Sequence, residues 1–432
     1  MIKWGESRTK VALATLIGTT IEWYDFYIYG VAAALIFATQ FFPKLSPAAG
    51  TLASFATFGV GFLARPLGGA VFGYIGDRFG RMGALVATLL MMGIGTCLIG
   101  LLPGYNTLGM AAAALLVLLR LFQGVAVGGE WGGAVLMATE HAPAGRRGIY
   151  AAWPQMGAGT GLLLANGVFL AVRLNMSEAA FLDWGWRIPF LLSIVLVLVG
   201  LIIRMKVEES PVFTKMEATG TVLKNPLKEV LTTAPKTLVL AAAVFLLNNT
   251  CVYVSSTFAL SYLAKLGVPS NVGLTGIMLG ASFLCIFTLV FSYLSDVYGR
   301  KRVIISVYSM WFIWAFPFFM LLATKNPLWI YVGFGIATLL TAAYGPIGSF
   351  IPEQFTSDVR YSGISVAIQI GSIIGGGFGP MLATILNTTY GIWAVSLYIC
   401  IVAVISVSAT LALRESNRDD WSVLGERLPI TR

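Results

Sequence analysis

The chain has 432 residues, of which 57% are hydrophobic and only 11% are charged. A water-soluble domain carries roughly 25% charged residues, so this composition excludes that class and is typical of a polytopic membrane protein. The formal net charge of +9 could suggest nucleic-acid binding, but the basic residues fall between apolar segments in an alternating pattern, which argues against it.

Apolar windows of about 20 residues, the length that spans a bilayer core, can be laid out along the whole chain. Twelve windows are separated by charged or Pro/Gly-rich breaks: 12–38, 50–75, 84–103, 109–137, 148–172, 187–205, 236–262, 272–295, 302–323, 328–350, 362–386 and 390–413. We therefore predict an all-α polytopic membrane protein with twelve transmembrane helices. The longest polar stretch divides it into an N-terminal six-helix bundle (1–205), a cytoplasmic linker with short amphipathic helices (206–235), and a C-terminal six-helix bundle with a short cytoplasmic tail (236–432).

Lysine and arginine fall mainly in every second inter-helix segment. Of the 28 basic residues, 21 lie on one predicted side of the membrane, five lie on the other, and two, Arg65 and Arg120, lie inside it. The rich side includes the run from Arg204 to Lys236 and the four C-terminal arginines. The positive-inside rule therefore predicts that both termini are cytoplasmic. The first apolar run is too long for a cleavable signal peptide.

The two halves of the chain repeat each other. The segment GYIGDRFGR (73–81) is echoed by SYLSDVYGRK (292–301), which places Asp77 and Asp296 219 positions apart. A second echo joins Glu140 and Arg147 of the first half to Glu353 and Arg360 of the second. Parallel repeats related by an axis along the membrane normal are a transporter architecture, so we predict a pseudo-two-fold arrangement of the two bundles.

Two acidic residues lie inside the first predicted helix. Glu22 and Asp25 are three residues apart and share a helical face. Two carboxylates in an apolar span repel and desolvate each other, which favours the reversible protonation that a proton-coupled carrier needs. The alternative is a permanent structural carboxylate paired with Arg65 or Arg120. Ionisable groups inside a membrane are costly to bury, and they usually have a functional role. We therefore expect Asp25 to bind the coupling proton, with Glu22 as a second candidate.

Arg65 is the best candidate for binding an anion. It lies 12 residues before Asp77, about half the depth of the bilayer core at roughly 1.5 Å per residue. A guanidinium offers a planar, bidentate fork to a carboxylate and stays charged. The alternative role is a structural tether to Asp25 or Glu130. Arg120 and Gln123 share one face of the fourth helix, also inside the membrane.

Glu130 follows on the fourth helix, flanked by two pairs of glycines (128–129 and 132–133) that let another helix approach closely. It is either a paired, packed residue or a proton carrier. Polar and aromatic side chains in the apolar runs are candidate substrate contacts. For the aromatic side chains, packing or an interfacial position is the more frequent explanation, and interhelical hydrogen bonds explain the polar ones equally well. Besides Arg65, these are Tyr24, Tyr27, Gln123, Trp131, Gln155, Asn249, Tyr253 and Gln369.

Several of these segments resemble known signatures. GYIGDRFGR (73–81) looks like the loop 2–3 signature of the major facilitator superfamily, and RLFQGVAVG (120–128) looks like its fourth-helix signature. Over almost the whole chain the sequence is similar to the metabolite:proton symporter family, through EWYDFYIYG (22–30), FLARPLGG (62–69), GGEWGG (128–133), WGWRIPF (184–190) and EESP (208–211). The loop signature departs at Met82, where a basic residue is usual, whereas the second copy keeps Arg300 and Lys301.

The resemblance implies an alternating-access carrier in the bacterial cytoplasmic (inner) membrane. It implies a role for Arg120 in proton coupling, beside Asp25, Glu22 and Glu130. It also implies a latch that holds the cytoplasmic side shut, for which the candidate residues are Asp77, Arg78, Arg81, Asp296 and Arg300.

We therefore expect a secondary active transporter, not an enzyme, that imports a small organic anion together with a proton. Members of the family carry shikimate, 2-oxoglutarate or citrate, so a mono- or dicarboxylate is expected. The open alternatives are a proton-coupled carrier of zwitterions such as proline or betaine, and an organic-anion exchanger or exporter. The expected partners are the substrate, protons and the lipid bilayer, with no nucleic acid, no cofactor beyond the coupling proton, no metal, and a functional monomer.

Overall fold

The computed structural model describes residues 4–143 and 145–415, so three of the C-terminal arginines lie outside the described residues. Within these ranges the chain is helical, with no β-strand. The twelve long helices of this part are α1 Trp4–Leu35, α2 Pro47–Phe79, α3 Arg81–Leu101, α4 Met110–Glu140, α5 Arg147–Leu174, α6 Phe181–Arg204, α7 Pro235–Lys265, α8 Ser270–Tyr298, α9 Arg300–Ala323, α10 Pro327–Gln354, α11 Arg360–Tyr390 and α12 Ile392–Ala412.

Eleven of these helices, α2 to α12, are long and apolar enough to cross a membrane, as judged over the described residues. The remaining one, α1, is 32 residues long but carries Glu22 and Asp25 in its apolar part. A 32-residue helix is about 48 Å long, more than the bilayer core requires. The predicted all-α class with twelve membrane helices is confirmed, although most helices extend a few residues beyond the apolar windows, because helical geometry continues into the polar turns.

The linker between α6 and α7 contains two short helices, Pro211–Ala218 and Pro226–Thr233. Each begins at a proline that follows a capping residue, Ser210 or Asn225, whose side chain accepts a hydrogen bond from the first turn. Serine and asparagine are favoured caps, and proline fits the first helical position because its missing N–H needs no partner there.

The two bundles meet along two equivalent seams. One joins α2 to α11, and the other joins α5 to α8 and α10. In the internal repeat α2 corresponds to α8, and α5 corresponds to α11, so the seams are related by the pseudo-two-fold axis. Opening one end of the molecule requires the helices in both seams to separate there.

Glycines decide two features of this packing. Gly128 on α4 lies so close to α2 that a Cβ atom there would be 2.1 Å from the carbonyl oxygen of Arg65, which confines the position to glycine. Gly80 and Gly299 have φ angles of 107° and 103°, in a region that side chains disfavour. Each lies in the tight turn after the repeated aspartate segment, between α2 and α3 or between α8 and α9.

Candidate functional site

A cavity of about 210 Å³ lies between the two bundles. The first bundle supplies an aromatic wall of Trp23, Phe26 and Tyr27 from α1 and Phe58 from α2. The second bundle supplies Tyr253 and a group of hydroxyl side chains from α7 and α10. The two walls differ in chemistry: one is aromatic and the other carries hydroxyl groups.

Two guanidinium groups lie behind the aromatic wall. The guanidinium carbon of Arg65 is 4.1 Å from the ring centre of Phe62 and 4.8 Å from that of Phe26. Arg120 also contacts this aromatic layer, 5.0 Å from the ring centres of both Phe26 and Phe58. Arg65 and Arg120 are 6% and 1% exposed, and within the described residues neither forms an ion pair with a carboxylate. The two buried cations next to the cavity therefore have no described carboxylate within ion-pair distance, although Glu22 of α1 is near enough to interact electrostatically with Arg65.

Asp25 is completely buried on α1. The Ser193 hydroxyl of α6 donates to one of its carboxylate oxygens, while the other oxygen has no partner among the described residues. Asp25 is therefore not tied to Arg65 or Arg120, as the structural alternative required.

A chain of hydrogen bonds leads from Arg120 to Thr96, which lies next to Asp25 and donates its own proton to the Met92 carbonyl oxygen. Gln123 donates from Nε2 to Thr96 Oγ1 at 2.8 Å and accepts at Oε1 from Arg120 Nη1 at 3.2 Å. Gln123, which we expected to contact substrate, is completely buried and absent from the cavity lining. Its position connects the candidate proton site to the cation behind the cavity.

Glu130 is paired. It accepts hydrogen bonds from the Arg204 guanidinium and from the Thr88 hydroxyl. Arg204, which ends α6 on the predicted basic side of the membrane, is only 3% exposed. Its side chain points into the first bundle, where Glu130 and the backbone oxygen of Leu85 accept its hydrogen bonds. Glu22 lines a small void with Glu130 and Thr88 and forms no ion pair within the described residues.

The other expected substrate contacts divide into two groups. Tyr27 and Tyr253 line the cavity. The remaining side chains bond to protein groups instead: Tyr24 to the Pro189 carbonyl oxygen, Trp131 to Gln155, Gln155 also to the Tyr344 carbonyl oxygen, Gln369 to the Gly128 carbonyl oxygen, and Asn249 to Phe245 and Ser372. The bonds of Gln155 and Gln369 cross between bundles and close the interface beside the cavity.

One end of the first seam is a buried charged cluster around Asp77. The Asp77 carboxylate accepts from the backbone amides of Tyr361 and Ser362, at 3.2 and 2.8 Å, in the first turn of α11. It lies 3.3 Å from Arg81 Nη2, and Arg81 donates to the backbone oxygen of Ser357 at 3.1 Å. A helix N terminus carries partial positive charge and stabilises an ionised carboxylate. These contacts join the two bundles.

Glu140 completes this cluster from the end of α4. It lies 3.3 Å from Arg360 Nη1 and 3.6 Å from Arg81 Nε, and it accepts from the Ser210 hydroxyl of the linker. Three members of the cluster, Asp77, Arg81 and Glu140, belong to the first bundle, whereas Arg360 belongs to the second.

The second seam ends in the equivalent cluster with the bundles exchanged. Asp296 accepts from the backbone amides of Gly148 and Ile149, at 2.8 and 2.9 Å, in the first turn of α5. Arg300 contacts Asp296 at 2.5 Å and Glu353 at 3.3 Å, and Arg147 of the first bundle lies 3.8 Å from Glu353. We call the two clusters together the latch: Asp77, Arg81, Glu140 and Arg360, with Asp296, Arg300, Glu353 and Arg147.

Four members of the latch were not selected from the sequence as gating residues: Glu140, Arg147, Glu353 and Arg360. The second echo of the internal repeat contained the signal, because it aligned these same four positions. All four latch arginines are at most 4% exposed, so they are buried charges where the bundles meet. Arg78 differs from them: it is exposed and bonds Tyr74 and the linker carbonyl of Lys224, without a described contact to the second bundle.

Two further glutamates cap the helices that follow the latch. Glu209 of the linker accepts from the backbone amides of Arg81 and Met82, at 3.1 and 3.0 Å, at the start of α3. Glu415, after α12, accepts from the amides of Arg300 and Lys301, both at 3.0 Å, at the start of α9. The capping carboxylates follow the last helix of each bundle, so the two-fold repeat extends into the linker and the tail.

Known proteins resemble this chain in sequence and in fold. Residues 11–225 match the family described as Sugar (and other) transporter, and residues 283–430 match the Major Facilitator Superfamily. The inner membrane metabolite transport protein YhjE and the shikimate transporter, both of Escherichia coli K12, are 41% and 42% identical, each comparison covering 95% of both chains. The Escherichia coli proline/betaine transporter is 32% identical over 95% of this chain and 84% of its own length.

The solved structure of the proton:xylose symporter XylE bound to 6-bromo-6-deoxy-D-glucose is 17% identical and has a TM-score of 0.77, covering 94% of this chain and 95% of that one. This likeness concerns the fold, which is that of a twelve-helix carrier. The resemblance inferred from the motifs is thus confirmed over nearly the full chain. The protein is a multi-pass membrane transporter of metabolites, not an enzyme, and it belongs to the major facilitator superfamily.

Proposed function

We propose that the protein imports a small organic anion together with a proton by alternating access. The observation that carries this proposal is the pair of buried guanidiniums, Arg65 and Arg120, which lie one aromatic ring away from the cavity without a carboxylate partner in the described residues. Burying an unpaired charge is costly, and a carboxylate bound beside these cations removes that cost. A cavity flanked by two such cations favours anions over neutral solutes.

The substrate carboxylate is proposed to bind Arg65. In this structure the rings of Phe26 and Phe62 cover the Arg65 guanidinium, so binding requires the Phe26 ring to turn aside. A bidentate guanidinium–carboxylate pair then replaces two cation–π contacts. Charge-assisted bidentate pairs are the stronger interaction, which makes this exchange favourable.

Proton coupling is proposed to occur at Asp25, which has one free carboxylate oxygen and no cationic partner. Arg120 bonds to Gln123, which in turn bonds to Thr96 beside Asp25. An anion that binds beside Arg65 and Arg120 weakens their stabilisation of an ionised Asp25 and so favours its protonation. Anion and proton therefore bind with positive cooperativity, and the loaded carrier is closer to neutral when it changes state.

The test uses purified protein in liposomes with a panel of labelled carboxylates, with and without an imposed pH gradient. We expect Asp25→Asn to abolish uphill uptake while leaving exchange of labelled for unlabelled substrate intact. Arg65→Lys should lose both activities, because an ammonium cannot replace the bidentate fork. Asp183→Asn, which alters an exposed acid, is the control. Uphill uptake by Asp25→Asn would place the proton elsewhere, with Glu22 as the next residue to test.

A zwitterion such as proline or betaine is the second candidate substrate. The aromatic wall of Trp23, Phe26, Tyr27 and Phe58 favours it, because aromatic faces attract quaternary and other ammonium groups. The two unpaired guanidiniums argue against it, since they would share the site with the substrate's positive charge. Competition between a carboxylate and betaine for uptake in the same liposomes distinguishes the two.

A further inference from the structure

The wall of the cavity formed by the second bundle carries four threonine and serine hydroxyls with one common property. Ser255 and Ser256 lie in the π-helical turn Val254–Phe258 of α7, and Thr338 and Thr341 lie three residues apart on α10. All four line the cavity. π-Helical turns are rare and are frequent at functional sites, and this one brings two consecutive serines to the cavity.

Each of these hydroxyls donates its proton to a backbone carbonyl of its own helix. Ser255 donates to Cys251 O at 2.5 Å and Ser256 to Val252 O at 2.6 Å. Thr338 donates to Phe334 O and Thr341 to Thr338 O, both at 2.7 Å. A hydroxyl has one proton and two acceptor lone pairs. With the proton used within the helix, each of the four presents only acceptor lone pairs to the cavity.

The two walls therefore have opposite hydrogen-bonding character. Behind the first wall lie the cations Arg65 and Arg120, which bind an anionic group. The four hydroxyls of the second wall offer acceptors, which bind O–H or N–H groups. Two further hydroxyl residues, Tyr253 and Thr257, also line this wall; Thr257 is exposed and forms no such bond with any described residue. A substrate that satisfies both walls carries its carboxylate at one end and hydrogen-bond donors at the other.

We propose that Ser255, Ser256, Thr338 and Thr341 select substrates whose end opposite the carboxylate carries hydrogen-bond donors, either hydroxyl groups or a protonated amine. This inference rests on the proposed function and narrows it. A second carboxylate at the far end would face the acceptor lone pairs of these four hydroxyls, so simple dicarboxylates bind poorly. A fully methylated ammonium has no N–H to donate, so betaine gains nothing from this wall. A buried site built to hydrogen-bond a substrate group discriminates strongly against analogues that lack it.

The experiment measures competition against uptake of a labelled carboxylate in liposomes, using matched pairs of compounds. The first pair is a trihydroxylated cyclohexene carboxylate, which carries donors, and unsubstituted cyclohexanecarboxylate, which does not. The second pair is proline, which carries N–H donors, and N,N-dimethylproline, which does not. Glutarate represents the dicarboxylates. We expect the donor-bearing member of at least one pair to compete at a concentration at least tenfold lower than its partner, and glutarate to compete weakly. The pair that shows the preference identifies the donor as hydroxyl or protonated amine.

The variants Thr338→Val, Thr341→Val and Ser256→Ala remove single acceptors while the helical backbone bonds remain. Each should reduce the preference within the pair by about 2- to 10-fold, the value of one hydrogen bond. Thr384→Val is the matched control, because Thr384 makes the same type of bond to the Pro380 carbonyl oxygen on an exposed face of α11. Equal competition within both pairs, or an undiminished preference in all three variants, would overturn the inference. If no carboxylate is carried at all, it is the proposed function that fails.

Discussion

The latch can be tested by removing the charge of Asp77 while keeping its shape. Asp77→Asn retains one oxygen acceptor but places an amide N–H₂ where the second oxygen now faces a backbone amide of α11, either Tyr361 at 3.2 Å or Ser362 at 2.8 Å. It also leaves Arg81 without its neighbour at 3.3 Å. These contacts cross between bundles or support those that do, so they exist only while this end of the molecule is closed.

The expected magnitude follows from the lost contacts. One hydrogen bond to a charged group contributes about 1.5–3 kcal/mol, and the interaction of the charge with the N terminus of α11 adds about 0.3–1 kcal/mol or somewhat more when buried. The closed state should therefore lose about 2–4 kcal/mol relative to the open state. At about 1.4 kcal/mol per factor of ten, the equilibrium shifts roughly 30- to 700-fold towards opening at the latch.

The assay is a distance measurement between spin labels at Phe79→Cys and Tyr298→Cys, in a background without the four native cysteines. These positions are 66% and 61% exposed and lie next to the two halves of the latch, so labels there need not disturb packing. We expect Asp77→Asn to populate longer distances and to reduce turnover more than substrate affinity, because the cavity itself is untouched. Asp183→Asn is the control. An unchanged distance distribution, or normal turnover with a large loss of affinity, would refute the reasoning.

Two further predictions concern stability and topology. Glu130→Gln leaves Arg204 buried without its carboxylate and should destabilise the protein by about 3–5 kcal/mol, measured as a lower Tm in detergent. The double variant with Arg204→Met should recover most of this loss. A single variant that stays stable and loses only proton coupling would instead make Glu130 a proton carrier. Single cysteines at Lys44 and Lys325 should react with an impermeant reagent added outside intact cells, while a cysteine at Lys224 should not; the reverse pattern would invert the predicted orientation.

The charge at the membrane midplane and the aromatic wall show how far sequence reasoning reaches into the site. Arg65, Arg120 and Asp25 were identified because placing an ionisable residue in an apolar membrane span costs free energy, so such residues usually have a functional role. Which of these side chains contact one another could not be predicted in this way. The alternative pairing of Asp25 with an arginine does not occur among the described residues, and Arg120 bonds to Gln123 and through it to Thr96, because side-chain partners depend on how α1, α3 and α4 are rotated against one another.

The sequence by itself determined the class, the twelve helices and the two-fold repeat, because hydrophobic length and charged breaks are local properties that the bilayer enforces. It also contained all eight latch residues in its two echoes. Only the tertiary structure decided which of them meet: Arg360 pairs with Glu140 of the other bundle at 3.3 Å, across 220 residues of chain. It likewise decided that Arg204 is buried and that Trp131 and Gln155 bond each other rather than line the cavity. Such partners are set by packing between distant helices, where each buried polar group must find a counterpart.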